Sequence, residues 1–146
     1  MHRIFCYGTL QVPEVMKAVT GRLYEGEKAL LPGYAMYRVK DAEYPGIVPS
    51  YNGETEGTLC SGLTDEDLKV LDAFEGNFYA RHSVEVHLRD GRITTAWVYV
   101  IREEYERVLS DELWHLDRFL KEGFRSFMDG YVHARKDLYA RKPHKR

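Results

Sequence analysis

Residues 83–101, SVEVHLRDGRITTAWVYVI, constrain the fold more than any other stretch of the chain. Two alternating runs rich in β-branched residues flank Asp90-Gly91, a pair whose tolerance of left-handed backbone suits a type I′ turn. A β-hairpin is therefore expected, with the first strand of the chain lying beside it in one sheet. That first strand is HRIFCY, residues 2–7, apolar and aromatic, running straight into the turn-former Gly8. GYAMYRV, 33–39, and TEGTLCSGL, 55–63, read as further strands. YPGIVPSYNG, 44–53, with two prolines and Asn52-Gly53, reads as turn-rich.

Helical signals stand between and after these strands. Thr64 offers an N-cap hydroxyl, Asp65, Glu66 and Asp67 an acidic first turn, and Gly76 a left-handed C-cap, which predicts a helix of about three turns. A longer helix over roughly 110–131 is expected from Leu113, Leu116, Leu120, Phe124, Phe127 and Tyr131 at three- and four-residue spacing. It should pack outside the sheet. The basic run RKDLYARKPHKR, 135–146, reads as a solvated terminus.

Composition narrows the function classes. With 146 residues and 44% hydrophobic content the chain can bury one sizeable core, so a single domain over 1–146 is expected. Basic and acidic residues nearly cancel, at a formal net charge of −2, which gives no global field for nucleic acid or an anionic membrane. A small molecule is the expected partner. The stretch MHRIFCYGTL has neither the basic region nor the apolar run of a secretory signal, and a cytoplasmic location is expected. Cys6 and Cys60 would both remain thiols there.

Sequence motifs exclude much chemistry. His82 and His87 lack metal-ligand spacing, Cys-x-x-Cys is missing, and neither nucleotide-binding glycine motif occurs, so no metal and no cofactor is expected. Two features remain. CYGTL, 6–10, ends a strand in a way that can leave backbone N–H groups aimed at an anion or carbonyl oxygen, although Gly8 could equally serve a simple turn. Glu75 continues the buried stripe of Leu68 and Leu71 at i+4, where desolvation and the negative helix end both raise a carboxyl pKa. Such a group suits proton transfer near neutrality. The alternatives are a side chain bent out to water or an ion pair with Arg81.

The order YGTL, YPGI, Gly57-Thr58-Leu59, LDAFEGNFYAR, Val84-Glu85-Val86 and Trp97-Val98-Tyr99 resembles the γ-glutamylcyclotransferase-like superfamily, and within it the avirulence-induced, γ-glutamylamine-cyclotransferase-like branch. The resemblance runs from about residue 3 to 128. It implies an α+β fold, a small mixed β-barrel with flanking helices and a pocket at the barrel mouth. It further implies that Tyr7, Gly8, Thr9 and Leu10 form the substrate loop, that Glu75 is the catalytic acid–base, that Tyr99 lines the pocket, and that Tyr79 and Arg81 support it. The substrate would be a γ-glutamyl amide, closed by its own α-amine to 5-oxoproline with release of an amine or amino acid. Gly-Thr-Leu stands where glutathione-pathway members carry Gly-Ser-Asn-Leu. Two other classes remain open from the sequence: a binding module for a small amino-acid-like ligand, and a thiol enzyme using Cys6.

Overall fold

The alternation in 83–101 folds as a hairpin in the computed structural model, which describes residues 1–139. β4 (Tyr79–Leu88) and β5 (Ile93–Ile101) pair antiparallel from Tyr79 opposite Ile101 to His87 opposite Ile93. The turn differs from the expected type I′. Gly91 has φ +91° but Asp90 does not share the left-handed region, and the Gly91 N–H donates to the Leu88 carbonyl. This is a longer connection in which glycine alone takes the positive φ, the usual way to close a three-residue loop with a bulge.

The strands form a closed five-stranded barrel in the order β1 (His2–Cys6), β3 (Pro45–Leu63), β2 (Gly26–Arg38), β4, β5. β1 (His2–Cys6) lies inside the sheet, antiparallel to β3 and parallel to β5, where Ile4 meets Trp97. Its alternation separates two cores. Phe5 points into the barrel with Leu31, Ile47, Leu59 and Val98, while Ile4 and Cys6 face the helices with Leu71 and Phe74. Closure removes the exposed edges that an open sheet would present.

Two expected boundaries are wrong. The strand expected at 33–39 is the second half of β2 (Gly26–Arg38), and the turn-rich 44–53 belongs to β3 (Pro45–Leu63), a continuous strand. Prolines and glycines here mark irregularity within a sheet. Register shifts between Pro32 and Tyr34, Gly33 takes φ +87°, and Pro49 stands opposite Tyr34 beside that bulge, where a missing N–H is tolerated. Gly53 makes no turn; a Cβ on it would come 2.6 Å from the Tyr34 carbonyl oxygen.

Pro13 is the first residue of α1 (Pro13–Thr20), which ends at Gly21 with φ +84°. Proline at the first helical position and left-handed glycine after the last are standard end signals. α2 (Asp65–Glu75) starts as expected, with Thr64 and Asp67 forming a reciprocal capping box. Gly76 has positive φ but ψ −163°, so the chain leaves the helix extended and not in a left-handed helical turn.

The helix expected over 110–131 begins only at Leu116. Residues 110–115 are a loop, in which the Ser110 hydroxyl donates to the Arg38 carbonyl and the Trp114 indole N–H to that of Glu43. From Leu116 to His133 two α-helical pieces, Leu116–Arg118 and Phe124–Phe127, alternate with π-helical turns Phe119–Gly123 and Met128–His133. π turns hold more residues than α turns. The buried positions are accordingly Phe119, Gly123, Phe127 and Val132, while Leu113 and Leu120 of the expected stripe are exposed. Of the terminal basic run, Tyr139 is buried edge-on against Phe74 and is not solvated; residues 140–146 lie outside the described residues. None of the described helices is long and apolar enough to cross a membrane.

Gly57 sets how closely β1 can approach β3. A Cβ there would stand 2.4 Å from the Cys6 carbonyl oxygen and 2.8 Å from the Phe5 ring. Gly57→Ala should therefore destabilise the fold by about 1–3 kcal/mol, the range for overpacking, and lower the melting temperature by several degrees. Thermal unfolding of the two proteins checks this.

Candidate active site

β1 ends at Cys6 and the chain turns through Tyr7 and Gly8 into a 3₁₀ turn, Thr9–Gln11. That turn is closed by N–H groups of Gln11 and Val12, which donate to the carbonyls of Gly8 and Thr9. Among the described residues, the N–H groups of Gly8, Thr9 and Leu10 donate to no acceptor. Buried or half-buried backbone donors are normally paired, so three successive free ones form a preorganised acceptor site for an oxyanion or carboxylate. Gly8 has an ordinary negative φ of −116°. It is required by space: a Cβ would come 2.9 Å from the Pro45 ring, which packs on the loop.

The loop, Tyr7 to Leu10, lines a cavity of about 30 Å³ together with Glu75, Tyr79 and Tyr99. Cys6 also lines it. Glu75 comes from the last residue of α2, and the half-turn of extended chain after Gly76 leaves its side chain beside the barrel end. The residue retains partial exposure, yet burial of its carboxyl, reinforced by the negative charge of Asp72, pushes its pKa up to about 8. The expected outward bend and the expected pair with Arg81 are both replaced by other arrangements. Arg81 instead holds Asp72 through two bonds, Nε to Oδ1 at 2.9 Å and Nη2 to Oδ2 at 3.2 Å, with its guanidinium 4.4 Å from the Trp97 ring centre. It does not line the cavity.

Three tyrosines brace the walls. The Tyr7 hydroxyl donates to the Tyr99 carbonyl at 2.6 Å, Tyr79 to the Pro45 carbonyl at 2.8 Å, and Tyr99 to Asp72 Oδ1 at 2.7 Å. Burial first, with the Glu75 charge among the added causes, raises the pKa of all three. They are neutral phenols across the physiological range. Sequence reasoning missed the other side of the cavity: Tyr44, Pro45, Phe74, Phe127 and Tyr131. Tyr44 and Pro45 belong to the YPGI segment, which had no role assigned. Phe127 and Tyr131 stack at 5.0 Å and 11°, and were legible only as a packing stripe. Among the described residues no three His, Cys, Asp or Glu side chains are placed to hold a metal ion.

The family model for "Gamma-glutamyl cyclotransferase, AIG2-like" proteins matches residues 4–116. The chain belongs to this family. AIG2-like protein B of Arabidopsis thaliana is 42% identical over 90 residues, 62% of this chain and 52% of that protein. The chain thus spans about half the length of such curated relatives. A solution structure of another Arabidopsis thaliana protein is 30% identical and superposes with a TM-score of 0.70 over 98% of this chain and 95% of its own. A structure described as a γ-glutamyl cyclotransferase, 15% identical, matches with a TM-score of 0.59 over 99% of this chain and 90% of its own, and shows the shared barrel fold.

The raised pKa makes a stability prediction for this family member. In the unfolded chain Glu75 ionises near 4.5, in the folded one only near 8. The unfolded state therefore binds fewer protons between those values, and the Glu75 contribution to stability, full below about pH 4.5, is lost as pH rises through about 8. Glu75→Gln removes this dependence. The variant should melt near wild type at pH 5 and above it at pH 9, as read by parallel thermal scans.

Proposed function

We propose that this chain is a γ-glutamyl cyclotransferase-type enzyme that converts a γ-glutamyl amide to 5-oxoproline and a free amine or amino acid. One observation carries the reading: a carboxyl held protonatable near neutral pH faces the same cavity as three unpaired backbone donors. A γ-glutamyl amide supplies its own nucleophile, so the protein needs an acid–base group and an oxyanion site and no nucleophilic side chain. Glu75 and the loop donors, lining one cavity, support that reading.

In the proposed reaction Glu75 accepts a proton from the substrate α-ammonium. The freed amine attacks the γ-carbonyl carbon, closing a five-membered ring and placing negative charge on the carbonyl oxygen, which the N–H groups of Gly8, Thr9 and Leu10 receive. Collapse breaks the original amide bond. Glu75 returns its proton to the departing nitrogen, the ring nitrogen gives up its second proton to become the lactam N–H, the released amine ends as its ammonium form, and no water is consumed. Folding the substrate so that amine and carbonyl meet converts an encounter into an intramolecular step, a gain of several kcal/mol. At about 30 Å³ the cavity has room for roughly a water or two. Its aromatic side is formed by Tyr44, Phe127 and Tyr131, which lie within 5.0–6.1 Å of one another by ring centre.

The thiol alternative is weakened by the surroundings of Cys6. Its hydrogen bond to Cys60, together with burial, pushes its pKa well up, away from thiolate. The binding-module alternative is separated from the enzyme by turnover alone.

A panel of γ-glutamyl dipeptides, γ-glutamyl-amines and γ-glutamyl-lysine, assayed for 5-oxoproline, tests the reading. With a responsive substrate, Glu75→Gln should lower turnover by roughly 10²–10⁴ while binding survives. Cys6→Ser should stay within about tenfold of wild type, an effect of about 1.4 kcal/mol that packing alone can produce. Near-wild-type turnover by Glu75→Gln, or complete loss in a folded Cys6→Ser, would sink the assignment. At the loop, Thr9→Ala should weaken ligand binding less than Gly8→Pro, which removes an N–H and collides with Pro45. Calorimetric titration with 5-oxoproline compares the two.

A further inference from the structure

Asp72 stands three residues before Glu75 on α2, so the two carboxylates are neighbours on one helix face. Like charges so placed repel, and a protein that needed only stability would separate them. Here Asp72 takes three hydrogen bonds, two from the Arg81 guanidinium and one from the Tyr99 hydroxyl. Arg81 and Tyr99 are themselves cross-strand partners of β4 and β5. Tyr99 lines the Glu75 cavity, and Arg81, Tyr99 and Asp72 share the adjoining recess.

Among the described residues, no cation is in contact with Glu75. Cys6 and Tyr7 face it from the β1 end, Tyr44 from the chain before β3, Tyr79 from β4, Tyr99 from β5 and Tyr131 from the C-terminal helical run. All are neutral. Two positive groups near it among the described residues are engaged elsewhere: Arg81 by Asp72 and Trp97, and Arg135 over the Tyr131 ring at 4.5 Å. Arg102 edges the recess beyond Tyr79 and Tyr99.

We propose that Asp72 is a positioning residue that captures Arg81 and so keeps its guanidinium from compensating Glu75, one helical turn further on. The inference rests on the reading of Glu75 as the acid–base group. An Arg81–Glu75 pair, which the spacing in the sequence would allow, would hold Glu75 as a firmly ionised carboxylate, a poor proton donor to a leaving nitrogen. The bidentate geometry explains why arginine suits the place: it is fixed by a fork of two bonds and by stacking on Trp97, neither of which a lysine reproduces. Asp72 also acts directly, because its charge adds to burial in raising the Glu75 pKa.

Opposite signs distinguish this role from simple structural support. Asp72→Asn removes a negative neighbour and releases a positive one, so the Glu75 titration should move down by about one pH unit or more. Arg81→Gln leaves Asp72 uncompensated, and the titration should move up. The double variant Asp72→Asn/Arg81→Gln should fall between them, near wild type. The measurement is NMR titration of ¹³C-carboxyl-labelled glutamate in the intact protein at low salt, with the Glu75 resonance identified by its loss in Glu75→Gln. Arg81→Met, which still covers Trp97, serves as a second neutral variant if Arg81→Gln does not fold, with the same expected direction. Shifts of the same sign in both single variants, or no shift in either, overturn the proposal. With a turned-over substrate, the acid limb of kcat/KM should follow these midpoints. If the midpoints move as expected but the limb does not, the electrostatic role of Asp72 stands and the catalytic reading of Glu75 fails.

Discussion

A buried carboxylate at the start of α2 fixes the position of everything that follows on that helix. Asp67 has no exposed surface; burial alone would raise its pKa, but hydrogen bonds from the Thr64 N–H and from Arg22 outweigh that and hold it down to about 2. Thr64 follows directly on β3, and Arg22 lies just past the end of α1. One side chain therefore ties the first turn of α2 to the end of a barrel strand and to the neighbouring helix. Eight residues on, Glu75 sits at the opposite end. The helix treats its two terminal carboxyls in opposite ways: the positive end and its free N–H groups favour charge on Asp67, while the negative end and a dry cavity disfavour it on Glu75.

The site depends equally on close backbone approach. Gly57 lets β3 reach the end of β1, Gly8 lets Pro45 at the start of β3 lie on the loop after β1, and Gly46 packs where a Cβ would stand 2.3 Å from Ile101. Space explains all three, since none has a positive φ. With these contacts made, the Tyr79 hydroxyl reaches the Pro45 carbonyl and Tyr7 reaches Tyr99, so the cavity walls are joined to each other across four different strands and loops.

Local chemistry was legible in the sequence wherever it was decided by neighbours. The Asp90-Gly91 hairpin, the Thr64 cap and the burial of Leu68 and Leu71 all came from spacing and side-chain type. Glu75 stood out for the same reason, as a carboxyl on an apolar stripe. What escaped was set by distant partners. Pro49 and Asn52-Gly53 read as turns because their local preference is for turns, but pairing with β2 on both sides of the irregularity at Pro32–Tyr34 carries the strand through them. The C-terminal stripe failed because π turns change the residue count per turn, and no composition signal marks them. Likewise Arg81 had two carboxylates within reach on α2, and only the fold shows that it takes Asp72. The Pro13 helix is different: proline at its start, Glu14 in its first turn and Gly21 at its end were all visible.

The parallel pairing of β1 with β5 also bears on how the chain folds. Ile4 can meet Trp97 only after all the strands between them have been made, and contacts so distant in sequence are slow to form. Until then HRIFCY, apolar and aromatic, has at best the partnership of β3 along one edge. An incompletely paired strand of this kind is where a nascent chain is open to misassociation. Tyr7 to Leu10 follow directly on β1, yet Glu75, Tyr79 and Tyr99 around them come from far along the chain, so the cavity they share is complete only when the barrel closes.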